Sequence, residues 1–114
     1  MLVELPASLS RSRYRIANIE LPPGQPLVMV DKRPTGFTVR EFELFSLLAR
    51  RPDCVVQRPE IYEWIWGSTM PPGNRSVDVL VRKVRRRLED VAPDWRYIHT
   101  HFGIGYRFTP ERLP

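Results

Sequence analysis

The chain has 114 residues, enough for one domain with a modest core, and its 42% hydrophobic fraction is that of a globular protein and excludes a disordered one. A net charge of +5 and a pI near 10.0 favour a polyanionic partner, a requirement that nucleic acid or an anionic membrane surface would meet. No segment approaches the ~18 consecutive apolar residues of a membrane span, the N-terminus lacks the pattern of a secretory signal, and the lone Cys54 excludes an internal disulfide and points to a reducing, cytoplasmic setting.

Residues 1–39 read as short strands separated by turns, together a small antiparallel sheet. Residues 1–5 fit an edge strand or a loose tail equally well. Residues 13–21 mix polar and apolar side chains and end at the turn Pro22-Pro23-Gly24. The apolar run Leu27-Val28-Met29-Val30 is closed by Asp31 and a turn over residues 32–36, and residues 37–39 offer a third strand.

A helix begins at Thr38. Thr38 and Glu41 have capping-box spacing, in which each side chain satisfies a backbone N–H of the first turn. From there REFELFSLLARR runs to Arg51 and stops before Pro52; Phe42, Phe45, Leu48 and Ala49 form one face, which Leu44 and Leu47 widen, so the helix is mostly buried. Residues 54–57 form a strand or an extended link. A second helix spans residues 59–66 with Pro59 at its first position, where a missing N–H costs nothing; Ile61, Trp64 and Ile65 point inward, Tyr62 and Trp66 lie at the margins, and Gly67 ends it. Residues 68–73, STMPPG, make a tight loop, and Asn74 is placed to cap a third helix. Residues 95–102 and 106–109 read as two strands of a hairpin around Gly103-Ile104-Gly105.

The third helix, residues 74–90, NRSVDVLVRKVRRRLED, carries the chemistry. Val77, Val81, Val84 and Leu88 fall at i, i+4, i+7 and i+11, a single apolar stripe, and at about 100° per residue Arg75, Val79, Arg82, Lys83 and Arg86 lie opposite it. One face packs on a core while the other presents cations on a rigid rod that fits the major groove of B-form DNA, where arginine bonds guanine in bidentate fashion. A solvated cationic face is the competing reading of the same pattern.

Other constellations lead to less. His99 and His101 share one face of a strand and could supply two metal ligands, but a zinc site needs a further ligand that the sequence does not place; a phosphate contact from His101, or an ordinary surface, are the alternatives. Glu41 and Glu43 are explained by capping and packing. No nucleophile–base pair or phosphate-cradling loop emerges, so the expectation is a protein that is not an enzyme and has neither cofactor nor metal.

Taken in order, these segments resemble the OmpR/PhoB-type winged-helix DNA-binding domains of bacterial response regulators. The likeness runs from about Phe37 to Phe108. FTVREFELFSLLARRPDCVVQRPEIYEWIWG is similar to the family's first two helices, NRSVDVLVRKVRRRLE to its recognition helix with an Arg-Ser/Thr-Val-Asp-Val opening, and GIGYRF to its wing ending. The resemblance implies that Arg75, Ser76, Asp78, Arg82 and Lys83 stand at positions contacting bases or phosphates, that Thr100 stands at a wing position contacting phosphate, and that Ser68, Thr69 and Met70 lie in a loop that can touch RNA polymerase. With Val79 and Arg86 from the outer helix face, and His101 and Phe102 from the wing, these make the expected DNA-binding set. Arg85 and Arg87 flank the stripe, serving phosphates or pairing with acids such as Glu89.

Two positions depart from the family pattern. Leu80 replaces a residue that is often polar, so it either touches a thymine methyl or widens the core stripe. Phe102 replaces the wing arginine that enters the minor groove; it either packs on a sugar face or wedges at the wing tip, or else belongs to the core of a tilted wing.

The expected fold class is therefore α+β, a winged helix-turn-helix with a small N-terminal antiparallel sheet, a three-helix core and a C-terminal β-hairpin wing. Residues 1–36 would be the strand region and 37–110 the winged-helix core of a single domain. The expected function is sequence-specific binding of double-stranded DNA in bacterial transcription regulation, with helix 74–90 in the major groove and wing 95–109 on the adjacent backbone or minor groove. RNA polymerase and a second copy on DNA are further partners the resemblance implies, and no membrane is expected. A winged helix turned protein-interaction module, its basic face on an acidic partner, is the rival. Family members carry a receiver domain of about 120 residues before this unit, so the chain is expected to be either an excised effector domain or a regulator controlled by abundance or partners.

Overall fold

The computed structural model describes residues 14–114, so the reading of residues 1–5 and Arg13 lies outside the described part. The chain first forms a four-stranded antiparallel sheet, β1 (Tyr14–Ile16), β2 (Ile19–Leu21), β3 (Met29–Val30) and β4 (Arg33–Pro34), with neighbours paired in sequence order. Two departures from the sequence reading occur here. Residues 14–21 are a hairpin folded at Ala17-Asn18, not one strand. The additional strand comes from Arg33–Pro34, not from residues 37–39, because Thr38 is claimed by the helix that follows. Asp31 and Lys32 both have positive φ, 49° and 65°, the two-residue turn whose twist suits a hairpin.

Helix α1 (Val39–Ala49) starts with the predicted capping box: Glu41 N donates to Thr38 Oγ1 at 3.2 Å and Thr38 N donates to Glu41 Oε1 at 2.8 Å. Such a cap stabilises a helix by ~1 kcal/mol. Strand β5 (Val55–Gln57) leads directly into α2 (Arg58–Trp66), which ends at Gly67 in the left-handed conformation. Ile61 and Ile65 are its buried residues; Trp64, expected inside, is only partly buried and lies under the Arg50 guanidinium, 5.7 Å away. Helix α3 (Ser76–Val91) is followed by β6 (Trp95–His101) and β7 (Gly105–Arg112), and the second sheet has the order β5-β7-β6. β7 runs past Thr109 because the register shifts between Arg96 and Ile98, a bulge that accommodates Pro110 within the strand.

One core joins these parts. Phe45 is fully buried, with Phe37 tilted against it at 5.5 Å and Phe108 edge-on at 5.4 Å, so α1, its entry segment and β7 meet in one aromatic cluster. Ile19 and Val30 of the first sheet, with Val28 just before β3, belong to the same buried cluster as Val81 and Val84 of α3. Asn18 adds a polar tie: Tyr97 of β6 donates its hydroxyl to Asn18 Oδ1 at 2.7 Å, and burial pushes the Tyr97 phenol up to about 12. The architecture is a winged helix with an N-terminal sheet. Among the described residues no helix is long and apolar enough to cross a membrane.

Candidate nucleic-acid interface

Helix α3 sits with Val77, Val81, Val84 and Leu88 buried, which turns its opposite side outward. Leu80 is 7% exposed, so it widens the core stripe and is not available to a thymine methyl; helical geometry places it one residue from Val81 on the packed side. Arg82, Lys83 and Arg86 are exposed, and no described residue pairs with them. Val79 lies among them at 37% exposure.

The start of α3 differs from the expectation. The helix begins at Ser76 and its N-cap is Arg75, not Asn74, with the Arg75 carbonyl accepting from Val79 N at 3.0 Å; Asn74 sits one residue further out, where its Oδ1 accepts from Ser76 N at 2.9 Å. Arg75 therefore stands at the helix mouth, with a side chain 78% exposed whose Nη2 reaches Asp78 at 3.0 Å.

Asp78 faces inward. Its side chain is 15% exposed and accepts from Arg58 Nε at 2.7 Å and from the Tyr106 hydroxyl as well as from Arg75. Burial alone would raise its pKa, but the bonds from Tyr106 and Arg58 and the nearby cations outweigh that and hold the carboxyl below its ordinary range. Arg58 in turn is held above the ordinary guanidinium value, chiefly by its bond to Asp78, and lies 4.9 Å above the Tyr106 ring. This one carboxylate ties the first residue of α2, the first turn of α3 and the start of β7.

Arg85 and Arg87 are committed to the fold, and neither pairs with Glu89 as the sequence reading suggested. Arg85 donates Nε and Nη2 to the Ile98 carbonyl at 3.2 and 2.9 Å and Nη2 to Thr100 Oγ1 at 2.7 Å; burial lowers its pKa. Arg87 Nε donates to Glu41 Oε1 at 2.7 Å, so the helix-capping glutamate also anchors α3 to α1. Long side chains at the edges of the apolar stripe reach across to neighbouring elements, which explains both outcomes.

On the wing, Thr100 is partly buried and engaged by Arg85. His101 Nε2 accepts from Arg107 Nε at 3.0 Å, and His99 Nε2 donates to the Thr109 carbonyl at 2.9 Å. Both histidine rings are thus hydrogen-bonded within the hairpin, and among the described residues no group of three His, Cys, Asp or Glu could hold a metal ion. Phe102 is 89% exposed, which overturns its reading as a core residue: it lies in the turn just beyond the last strand pair, His101 with Gly105.

Two residues absent from the sequence reading join this surface. Arg40, in the first turn of α1, lies 5.0 Å above the Trp66 ring and shares with Trp66, Arg75, Val79 and Lys83 a groove of about 540 Å³. Arg58 is the other. No periodicity links α1 and α2 cations to α3, so only the packing of the helices reveals them. Ser68 and Thr69 are exposed and Met70 partly buried in the loop between α2 and α3.

Known proteins resemble the chain throughout this region. The family model described as "Transcriptional regulatory protein, C terminal" matches residues 32–108. The chain is 32% identical over 91 residues to the phosphate regulon transcriptional regulatory protein PhoB of Escherichia coli (strain K12), covering 80% of this chain and 39% of that protein. Among solved structures, the DNA-binding domain of CpxR from E. coli superposes with a TM-score of 0.76 at 26% identity, covering 85% of this chain and 95% of that one. The DNA-binding domain of the response regulator AdeR, in complex with an intercistronic region, gives a TM-score of 0.71 at 25% identity, covering 89% of this chain and 100% of that one. The chain spans roughly two fifths of the length of the curated relatives it matches.

Proposed function

The chain belongs to the family of C-terminal domains of transcriptional regulatory proteins, the OmpR/PhoB type, and from that membership we propose that it binds double-stranded DNA sequence-specifically in bacterial transcription regulation. Helix α3 enters the major groove and the wing rests on the adjacent backbone or minor groove. The observation that carries this reading is the face of α3: Arg82, Lys83 and Arg86 are exposed and unpaired among the described residues, while the opposite face is locked into the core. An unpaired guanidinium on a rigid rod is free to bond a guanine edge or a phosphate without first breaking an internal bond.

Arg75, Arg82 and Lys83 supply base or phosphate contacts, Arg86 follows the backbone, and Val79 meets base edges between them. Ser76 offers a hydroxyl at the helix mouth, where unpaired backbone N–H groups favour a phosphate. Asp78 acts through Arg75 and the wing, holding both in position. Arg40, beside Trp66, adds a phosphate contact outside α3. Thr100 and His101 place the wing along the backbone. The loop containing Ser68, Thr69 and Met70 is the surface for RNA polymerase, and a second copy binds head-to-tail on repeated sites. Response-regulator control in the cytoplasm follows the same family reading.

Arg40, Arg75, Arg82, Lys83 and Arg86 make about five phosphate-neutralising groups, so log affinity should fall with log salt at a slope near −5. Fluorescence anisotropy with a random-sequence duplex tests this, and a slope near zero removes the electrostatic premise. Selection from a random duplex pool then tests specificity, since a pool that yields no enriched sequence leaves only non-specific binding. The exposed Phe102 and Ile104 favour a second reading, a protein-interaction module with an acidic partner. That reading predicts no duplex binding even at low salt.

A further inference from the structure

The turn between β6 and β7 carries two exposed apolar side chains, Phe102 at 89% and Ile104 at 52% exposure. Singly exposed apolar residues are ordinary; the way this pair is held is not. Ile104 N donates to the His101 carbonyl at 2.9 Å, and Gly103 between them has φ +76°, a left-handed value that glycine adopts without steric cost. The Ile104 carbonyl accepts from Arg58 N at 3.3 Å, and the Arg58 side chain is bonded to Asp78 in the first turn of α3. Tyr106, two residues past Ile104, donates its hydroxyl to the same Asp78. Gly105 lies so close to β5 that a Cβ there would sit 2.0 Å from the Val56 carbonyl oxygen. The turn is thus braced to α2, α3 and β5, which fixes the Phe102 backbone relative to the mouth of α3.

The surroundings suit a polyanion. Residues 95–110 contain no Asp or Glu, and Arg75, Arg82, Lys83 and Arg86 line the neighbouring helix. A protein partner would bury about 800 Å² on each side of a standard interface, whereas the exposed apolar area here is confined to two side chains. An apolar tip backed by cations matches the other known use of such side chains, insertion between base steps from the minor groove.

We propose that Phe102 is a wedge that enters the minor groove beside the major groove occupied by α3 and partly unstacks one base step there. This rests on the DNA-binding reading above. Insertion opens the step on the minor-groove side and bends the duplex toward the major groove, and therefore toward α3, by about 20–90°. Unstacking is cheapest at flexible pyrimidine–purine steps, so the wedge creates a preference for TA or CA/TG at a base step that α3 never touches.

The test uses a duplex selected from a random pool by the unaltered chain, with 2-aminopurine substituted in turn at each step on the wing side. Circular-permutation gels report bending of the same site. The expected result is a rise in 2-aminopurine fluorescence at a single step, together with a bend. Phe102→Ala, altered outside the core, should keep the thermal midpoint but lose the fluorescence signal and the bend. Replacing the TA or CA step with GC should weaken the unaltered chain about tenfold and leave Phe102→Ala unaffected. Tight binding with no fluorescence change and no bend, or a bend that persists in Phe102→Ala, overturns the wedge and leaves DNA binding standing. Failure of the unaltered chain to bind any duplex at low salt overturns both.

Discussion

Replacing Asp78 with alanine should weaken both the fold and DNA binding, although it removes a negative charge from a basic surface. The carboxylate accepts from Arg58, from Tyr106 and from Arg75, and its side chain is 15% exposed. Hydrogen bonds to a charged group contribute about 1.5–3 kcal/mol each when desolvated, so the Arg58 and Tyr106 bonds together set an upper bound of about 3–6 kcal/mol. The Arg75 pair is largely solvated and adds only a few tenths of a kcal/mol, as roughly 0.2–0.5 is usual for such helix pairs. Water can reach part of the site once the carboxylate is gone, which reduces the net loss to about 2–4 kcal/mol. At about 4 °C per kcal/mol for a domain near 100 residues, the thermal midpoint should fall by about 8–16 °C. Circular dichroism measures that shift, and anisotropy at a temperature where the variant remains folded should show duplex affinity reduced about tenfold, because Arg75 and the wing lose their common anchor. The pH dependence has a definite sign. A carboxyl held below its ordinary range contributes stability that is present above its unfolded pKa and lost as pH falls through its lower folded value. The gap between wild type and Asp78→Ala should therefore be constant near neutrality and close only in acid. Tighter duplex binding with an unchanged midpoint would refute the argument, since it would mean that Asp78 acts as a free surface charge.

Three further outcomes are expected. Arg82→Ala should weaken binding to the selected duplex by about 1–3 kcal/mol and relax preference at one base pair if Arg82 reads a base; an equal loss on every sequence identifies a phosphate contact. Gly105→Ala should destabilise the chain by about 3 kcal/mol or more, because the added methyl must push β7 away from the Val56 carbonyl, and a midpoint equal to that of wild type contradicts the close approach. Tyr97 has its phenol pushed up to about 12 by burial, so the folded state holds a proton that the unfolded chain releases from about pH 10. Stability should fall between about pH 10 and 12, and alkaline titration of Tyr97→Phe should show that part of the fall missing, with about 1 kcal/mol lost at neutral pH from the unpaired Asn18 oxygen.

Much of this protein follows from local pattern. The Thr38–Glu41 capping box, Pro59 at the start of α2, Gly67 at its end and the valine–leucine stripe of α3 are decided by interactions within a few residues, so the helices were legible in the sequence nearly to their ends. The cationic face of α3 was legible for the same reason, because helical geometry alone separates it from the stripe. Leu80 shows the margin: periodicity left it between core and groove, and only the packing of α3 against the other helices put it inside.

What the tertiary structure decided were the choices that depend on residues far apart in the chain. Arginines at the stripe's edge look alike in sequence, yet Arg87 finds Glu41 and Arg85 finds Ile98 and Thr100, while Arg82 and Arg86 find no described partner and remain open. Asp78 became an internal anchor only because α2 and β7 bring Arg58 and Tyr106 to it. The same brace sets the wing turn beside α3 and leaves Phe102 outside every packed surface. Local sequence determines which faces are apolar and which are charged, because that depends on spacing along one element. Which charges stay free to meet a partner depends on long-range pairing, and that is decided only when the elements pack.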